Sequence, residues 1–177
     1  MSRRIAVFGT GYLGATHAAC MAQLGHEVIG VDVDKPKLAS LALGTAPFFE
    51  PGLDELLRSN IDSGRLRFTS SYAAAAEFAD VHFIAVATPQ KRGELAADVT
   101  HVDAVIRELS PLLRVPAITY GKSTVPVGTA AASERLSTSH CASVHCRRSR
   151  MEPGVPQGGA CDKRYSPPRS NCARDRS

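Results

Sequence analysis

No apolar run in this sequence of 177 residues is longer than a β-strand needs. The one helix-like stretch, Ala15 to Leu24, is interrupted by Thr16, His17 and Gln23, which excludes a membrane span. Arg3-Arg4 is followed by a short strand and a glycine-rich loop instead of a long apolar segment, so no signal peptide is expected. Tryptophan is absent throughout, and from residue 137 onward so are Leu, Ile and Phe. That last stretch carries seven Ser and four Pro, and cannot bury enough apolar area to offset the entropy of ordering it.

What is present divides at the same seam. Residues 137–177 hold 8 Lys+Arg against 3 Asp+Glu, whereas residues 1–136 hold 13 against 14. The overall net charge of +4 thus belongs wholly to the tail, as do four of the five cysteines, Cys141, Cys146, Cys161 and Cys172. The expected organisation is one folded domain, 1–136, and a disordered tail, 137–177.

Within 1–136, apolar runs and helical spacings alternate. Strands are expected at residues 4–8, 27–31, 65–69, 81–86 and 116–120, and helices at 12–24, 35–43, 53–61, 73–78, 102–113 and from 128. Alternating strands and helices with right-handed crossovers give an α/β fold, a doubly wound parallel sheet of Rossmann type ending after its fifth strand. In such a sheet residues 117–120 would form an unpaired, uncharged edge, prone to aggregation or dimerisation.

Gly9-Thr10-Gly11-Tyr12-Leu13-Gly14 fits G-x-G-x-x-G between the first strand and the first helix. Gly9 permits the tight turn, Gly11 lets the backbone approach a pyrophosphate, and Gly14 allows close helix–strand packing. Asp32 closes the second strand 18 residues past Gly14, where a carboxylate accepts from the adenosine ribose hydroxyls and repels the extra phosphate of NADP. The cofactor so implied is NAD. The plainer reading is a glycine turn followed by a helix-capping Asp. Thr88-Pro89-Gln90 and Lys122-Ser123-Thr124-Val125-Pro126-Val127-Gly128-Thr129 follow the fourth and fifth strands, at the ligand-binding end of such sheets. Their hydroxyls either face a ligand or cap the next helices.

IAVFGTGYLG, VDVDKPKL, Phe49-Glu50-Pro51-Gly52-Leu53, ATPQ with AADVTHVD, and GKSTVPVGT together resemble the nucleotide-sugar dehydrogenases of the UDP-glucose/GDP-mannose type, over about residues 3–136. EPGLDELL and TPQ look most like the UDP-glucose-oxidising branch. The resemblance implies two successive NAD-dependent hydride removals from C6 of UDP-glucose, giving UDP-glucuronate, in cytoplasmic homo-oligomers. It implies that Asp32 and Lys37 hold the adenosine ribose, with Gly9, Gly11, Tyr12, Leu13 and Gly14 at the pyrophosphate. Thr88 would contact the cofactor, and Thr124 would contact it too and place the catalytic water. The family's later machinery, an Asn-Pro-Glu-Phe-Leu-Arg-Glu segment, a Lys and Asn, and a nucleophilic Cys, is not present in register.

The tail cysteines do not replace it. Their C-x4-C and C-x10-C spacings are not those of zinc sites, and no metal is expected. A solvated basic tail with one Tyr and no periodicity points to no nucleic acid. Read one base out of register, however, Glu152 through Cys161 can encode Asn-Pro-Glu-Phe-Leu-Arg-Glu-Gly-His-Ala, Met151-Glu152 must give Trp, and Cys146 through Met151 can give Val-Ala-Glu-Val-Glu-Trp. Pro167 through Cys172 can give His-Pro-Asp-Arg-Ile. The expectation is a frameshift between about Leu136 and Cys141. The alternatives are a noncatalytic dinucleotide-binding module whose basic tail recruits an anionic partner, or a dehydrogenase of GDP-mannose or an N-acetylated UDP-sugar.

Overall fold

The computed structural model describes residues 1–91, 93, 96–114, 117–140 and 146–151. The elements run β1 (Arg4–Phe8), α1 (Tyr12–Gln23), β2 (Glu27–Val31), α2 (Lys35–Ala42), α3 (Leu53–Asp62), β3 (Leu66–Thr69), α4 (Tyr72–Phe78), β4 (Val81–Ile84), α5 (Thr100–Leu109), β5 (Ala117–Gly121), α6 (Thr129–His140) and β6 (Cys146–Met151). The strands form one parallel sheet in the order β3-β2-β1-β4-β5-β6.

Alternation along β1 builds both cores. Ala6 and Phe8 point to one face and pack with Ile29, Val31, Ile84 and the apolar sides of α4 and α5. Ile5 and Val7 point to the other and pack with Val28, Leu66, α1 and α3. The buried stripe of α1 is Gly14, Ala15, Ala18, Ala19 and Ala22, small residues that let the helix lie close on the sheet.

Besides shifts of a single residue, three boundaries within residues 1–136 differ from the sequence expectation for local reasons. β4 stops at Ile84 because its neighbour β1 ends at Phe8, where Gly9 turns away at φ +90°. The expected helix 102–113 tightens to a 3₁₀ turn at Ser110–Leu112, because Pro111 has no N–H to continue an α-helix. It also starts earlier, at Thr100, whose amide and hydroxyl both donate to Asp98. Pro116, expected at the head of the fifth strand, lies outside the described residues.

The larger difference is at the seam. The last helix continues past residue 136 to His140, and β6 pairs in parallel with β5, so the edge expected at residues 117–120 is covered. Structure therefore extends beyond the boundary drawn at 136. The physical reason is that a ladder is made of backbone N–H and C=O groups, so Cys-Arg-Arg-Ser-Arg-Met can form it without the apolar alternation that sequence reading looks for. The tail beyond residue 151, with Cys161 and Cys172, lies outside the described residues, as does Cys141.

His82 on β4 is fully buried beside Phe8, with ring centroids 6.0 Å apart. Neither of its ring nitrogens has a hydrogen-bond partner among the described residues. Burial lowers its pKa to about 4, against a smaller opposing pull from Asp80. A histidine depressed in this way binds its proton more readily when unfolded. Its effect on stability is nil above about pH 6.5 and grows as pH falls toward 4. His82→Val should therefore gain about 2 kcal/mol relative to the unaltered chain on going from pH 7.5 to 5. Denaturant midpoints of the two chains at both pH values measure this; parallel acid losses would overturn it.

Candidate cofactor site

The C-terminal ends of β1, β2, β4 and β5 lie side by side, which is where an open parallel sheet binds ligands. Gly9 holds φ +90°, its amide donates to Val31 O at 2.8 Å, and a Cβ there would lie 2.9 Å from the backbone of Ala85 and Val86. A Cβ on Gly14 would sit 1.7 Å from Gly9 O, so α1 can approach the turn only with glycine at that position. Gly11 differs, since nothing lies within 4 Å of its Cβ position. The space beside it at the N-terminus of α1 is open, so a phosphate can approach the backbone there. Leu13 packs inward on the α1 core, and Tyr12 stands exposed on the outer side. The Tyr12 hydroxyl donates to Glu50 at 2.5 Å, and its ring meets Phe48 edge-on, drawing the loop after α2 toward the glycine turn.

Asp32 sits at the end of β2, its side chain 9% exposed. Its Oδ2 accepts from the Thr10 amide at 2.8 Å, the Thr10 hydroxyl at 3.0 Å and Lys37 Nζ at 3.0 Å, and its Oδ1 accepts from the Asp34 amide at 3.1 Å. Burial pushes the Asp32 pKa up, but these hydrogen bonds outweigh it and hold the carboxylate below its ordinary range. The helix cap of the plainer reading exists, but Asp34 supplies it: its side chain accepts from the Lys37 amide at the start of α2. Asp32 is thereby left to face the glycine loop. Thr10, fully buried, was invisible to sequence reasoning because it occupies a free position of the motif. A hydroxyl within reach of the strand-end carboxylate is the only signal it offers.

Thr88 and Thr124 meet at the ends of β4 and β5, on the other flank of β1 from Asp32, where the Thr88 hydroxyl donates to Thr124 O at 2.8 Å. Neither caps a helix, since α5 starts at Thr100 and α6 at Thr129. The structure thus gathers Asp32 and Lys37 at β2, the glycines at β1, and Thr88 and Thr124 at β4 and β5 around one sheet end. No group of three or more His, Cys, Asp or Glu suited to a metal occurs among the described residues.

A glycine turn, a helix N-terminus with room above it and a hydrogen-bonded strand-end carboxylate define a dinucleotide-binding domain of the dehydrogenase class. The chain belongs to the UDP-glucose/GDP-mannose dehydrogenase family: residues 3–149 match that family's NAD binding domain. The family consists of NAD-dependent nucleotide-sugar oxidoreductases. The chain is 45% identical over 133 residues to the UDP-glucose 6-dehydrogenase of Rhizobium meliloti, a match covering 75% of the chain and 30% of that protein. It is 42% identical over 132 residues to the GDP-mannose 6-dehydrogenase of Pseudomonas syringae, again with 30% of that protein covered. Among solved structures, the UDP-glucose dehydrogenase of Pyrobaculum islandicum superposes with a TM-score of 0.83 at 32% identity, over 94% of this chain and 39% of that one. The chain thus spans about a third of the length of the relatives it matches.

Proposed function

We propose that this chain is the cofactor-binding part of an enzyme that oxidises C6 of UDP-glucose twice, to UDP-glucuronate, with NAD as acceptor. The observation that carries the cofactor assignment is the Asp32 carboxylate, ionised and held among Thr10, Lys37 and Asp34. Bound NAD would supply the hydride acceptor. On the protein side, Asp32 Oδ1 is the less engaged oxygen and accepts from an adenosine ribose hydroxyl. Lys37 holds the second ribose oxygen and neutralises the carboxylate. The amides at Gly11, Tyr12 and Leu13 face the pyrophosphate across the space above Gly11, between the turns made by Gly9 and Gly14. Thr88 would contact the cofactor, and the exposed Thr124 would contact it too and place the catalytic water. The UDP-glucose assignment is supported by the relatives' names together with EPGLDELL and TPQ. GDP-mannose is the second reading, favoured by the relative at 42% identity.

We also read the chain beyond about residue 137 as out of frame. Supporting this, the β6 residues Cys146–Met151 are the same six codons whose shifted reading gives the strand-like Val-Ala-Glu-Val-Glu-Trp. The nucleotide sequence across codons 134–142 tests it. No helix among the described residues is long and apolar enough to cross a membrane; we place the protein in the cytoplasm, as part of a homo-oligomer. Titration of the chain with NAD and with NADP tests the cofactor. NAD should bind the more tightly, and equal affinities would refute the assignment.

A further inference from the structure

β4 and β5 are parallel neighbours whose last register pair is Ile84 with Gly121. Beyond it the two chains leave the sheet as separate loops, and ordinarily nothing would keep them together. Here three further hydrogen bonds do. The Lys122 amide donates to Ile84 O at 2.8 Å. The Ser123 hydroxyl then donates to Val86 O at 2.6 Å, and the Thr88 hydroxyl donates back to Thr124 O at 2.8 Å. Past the backbone rung, side-chain hydroxyls continue the ladder, one contributed by each loop. Ser123 is 5% exposed, so its hydroxyl is not placed to touch a ligand; it touches the opposite loop.

We propose that Ser123, together with Thr88, is a positioning residue for the nicotinamide half of the cofactor. The two hydroxyls fasten the loop after β4 to the loop after β5, and Thr88 and Thr124 are thereby presented as one edge. The roots of the β4 loop, Ala85 and Val86, are already pinned under Gly9, so the fastening acts on the outer residues. Because the Thr88 proton is committed to Thr124 O, Thr88 meets a ligand as an acceptor. It therefore suits a ribose hydroxyl or a carboxamide N–H₂. The adenosine end depends on Asp32 and Lys37 at β2, two strands away across β1, and should not feel the loss of the fastening.

This inference rests on the NAD reading above. The test uses the 177-residue chain and its Ser123→Ala, Thr88→Val and Ser123→Thr variants, titrated calorimetrically with NAD and with ADP-ribose. NADH fluorescence serves as a readout of the nicotinamide ring alone. In Ser123→Ala and Thr88→Val, NAD affinity should fall about five- to tenfold while ADP-ribose affinity stays within about twofold. The fluorescence of added NADH should move toward that of free NADH, and Ser123→Thr should restore the parent behaviour. Unchanged NAD affinity in Ser123→Ala, whatever Thr88→Val does through its own ligand contact, or equal losses for NAD and ADP-ribose, would overturn the inference. Failure of the unaltered chain to bind either ligand would instead overturn the cofactor reading beneath it.

Discussion

Purified as its 177 residues, the protein should yield no NADH from UDP-glucose and NAD, whereas, on the out-of-frame reading proposed above, the same gene corrected by one base should yield steady turnover. In the proposed reaction Thr124 and the loops after β4 and β5 would hold and orient, but the covalent route that the family resemblance implies also requires a nucleophile. No residue of the described site supplies a thiolate. The shifted reading of Glu152 to Cys161 can encode Asn-Pro-Glu-Phe-Leu-Arg-Glu, the segment that the family resemblance implies would grip the sugar nucleotide. Absorbance at the NADH band measures both arms. Steady production by the uncorrected chain would overturn the requirement for the missing parts. An early stop in the corrected frame would overturn the frameshift.

The second large effect is at the ribose. Asp32→Ala should weaken NAD about 10- to 100-fold, the range for removing charged hydrogen bonds from a partly buried site. NADP should weaken far less. Lys37 Nζ, 3.0 Å from the carboxylate in the parent, would lose that partner and stand where the 2′-phosphate arrives. Asp32→Asn keeps the shape and removes the charge, separating electrostatics from packing. Titrations of both variants with both cofactors decide it. A variant that still discriminates as the parent does would show that Asp32 does not set the preference.

The parts of this site that sequence reading reached are those fixed by spacing. Gly9 and Gly14 are forced by a positive φ and by a backbone oxygen 1.7 Å from a would-be Cβ, and Asp32 by its place at the strand end. Lys37 was reached only through family likeness, because nothing in a lysine's sequence position says that its amine folds back five residues to a carboxylate. Thr10 lay in a free motif position. The hydroxyls of the β4 and β5 loops were read as helix caps or ligand contacts, yet Ser123 binds the neighbouring loop, a long-range pairing that no local pattern encodes. β6 was illegible for the opposite reason: its pairing uses backbone groups, while its side chains carry three arginines and no strand pattern.

The strand order has a bearing on how such a gene tolerates damage. Because the chain winds outward from β1, the first strand to leave the ribosome becomes the centre of the sheet and the last becomes its rim. Lesions late in the coding sequence therefore fall on the periphery, where one neighbour is lost instead of two. The strands β1 to β4, with the glycine turn and Asp32, are complete before residue 90 has been translated. A doubly wound domain of this kind thus confines late reading errors to its margin, away from the glycine turn and Asp32.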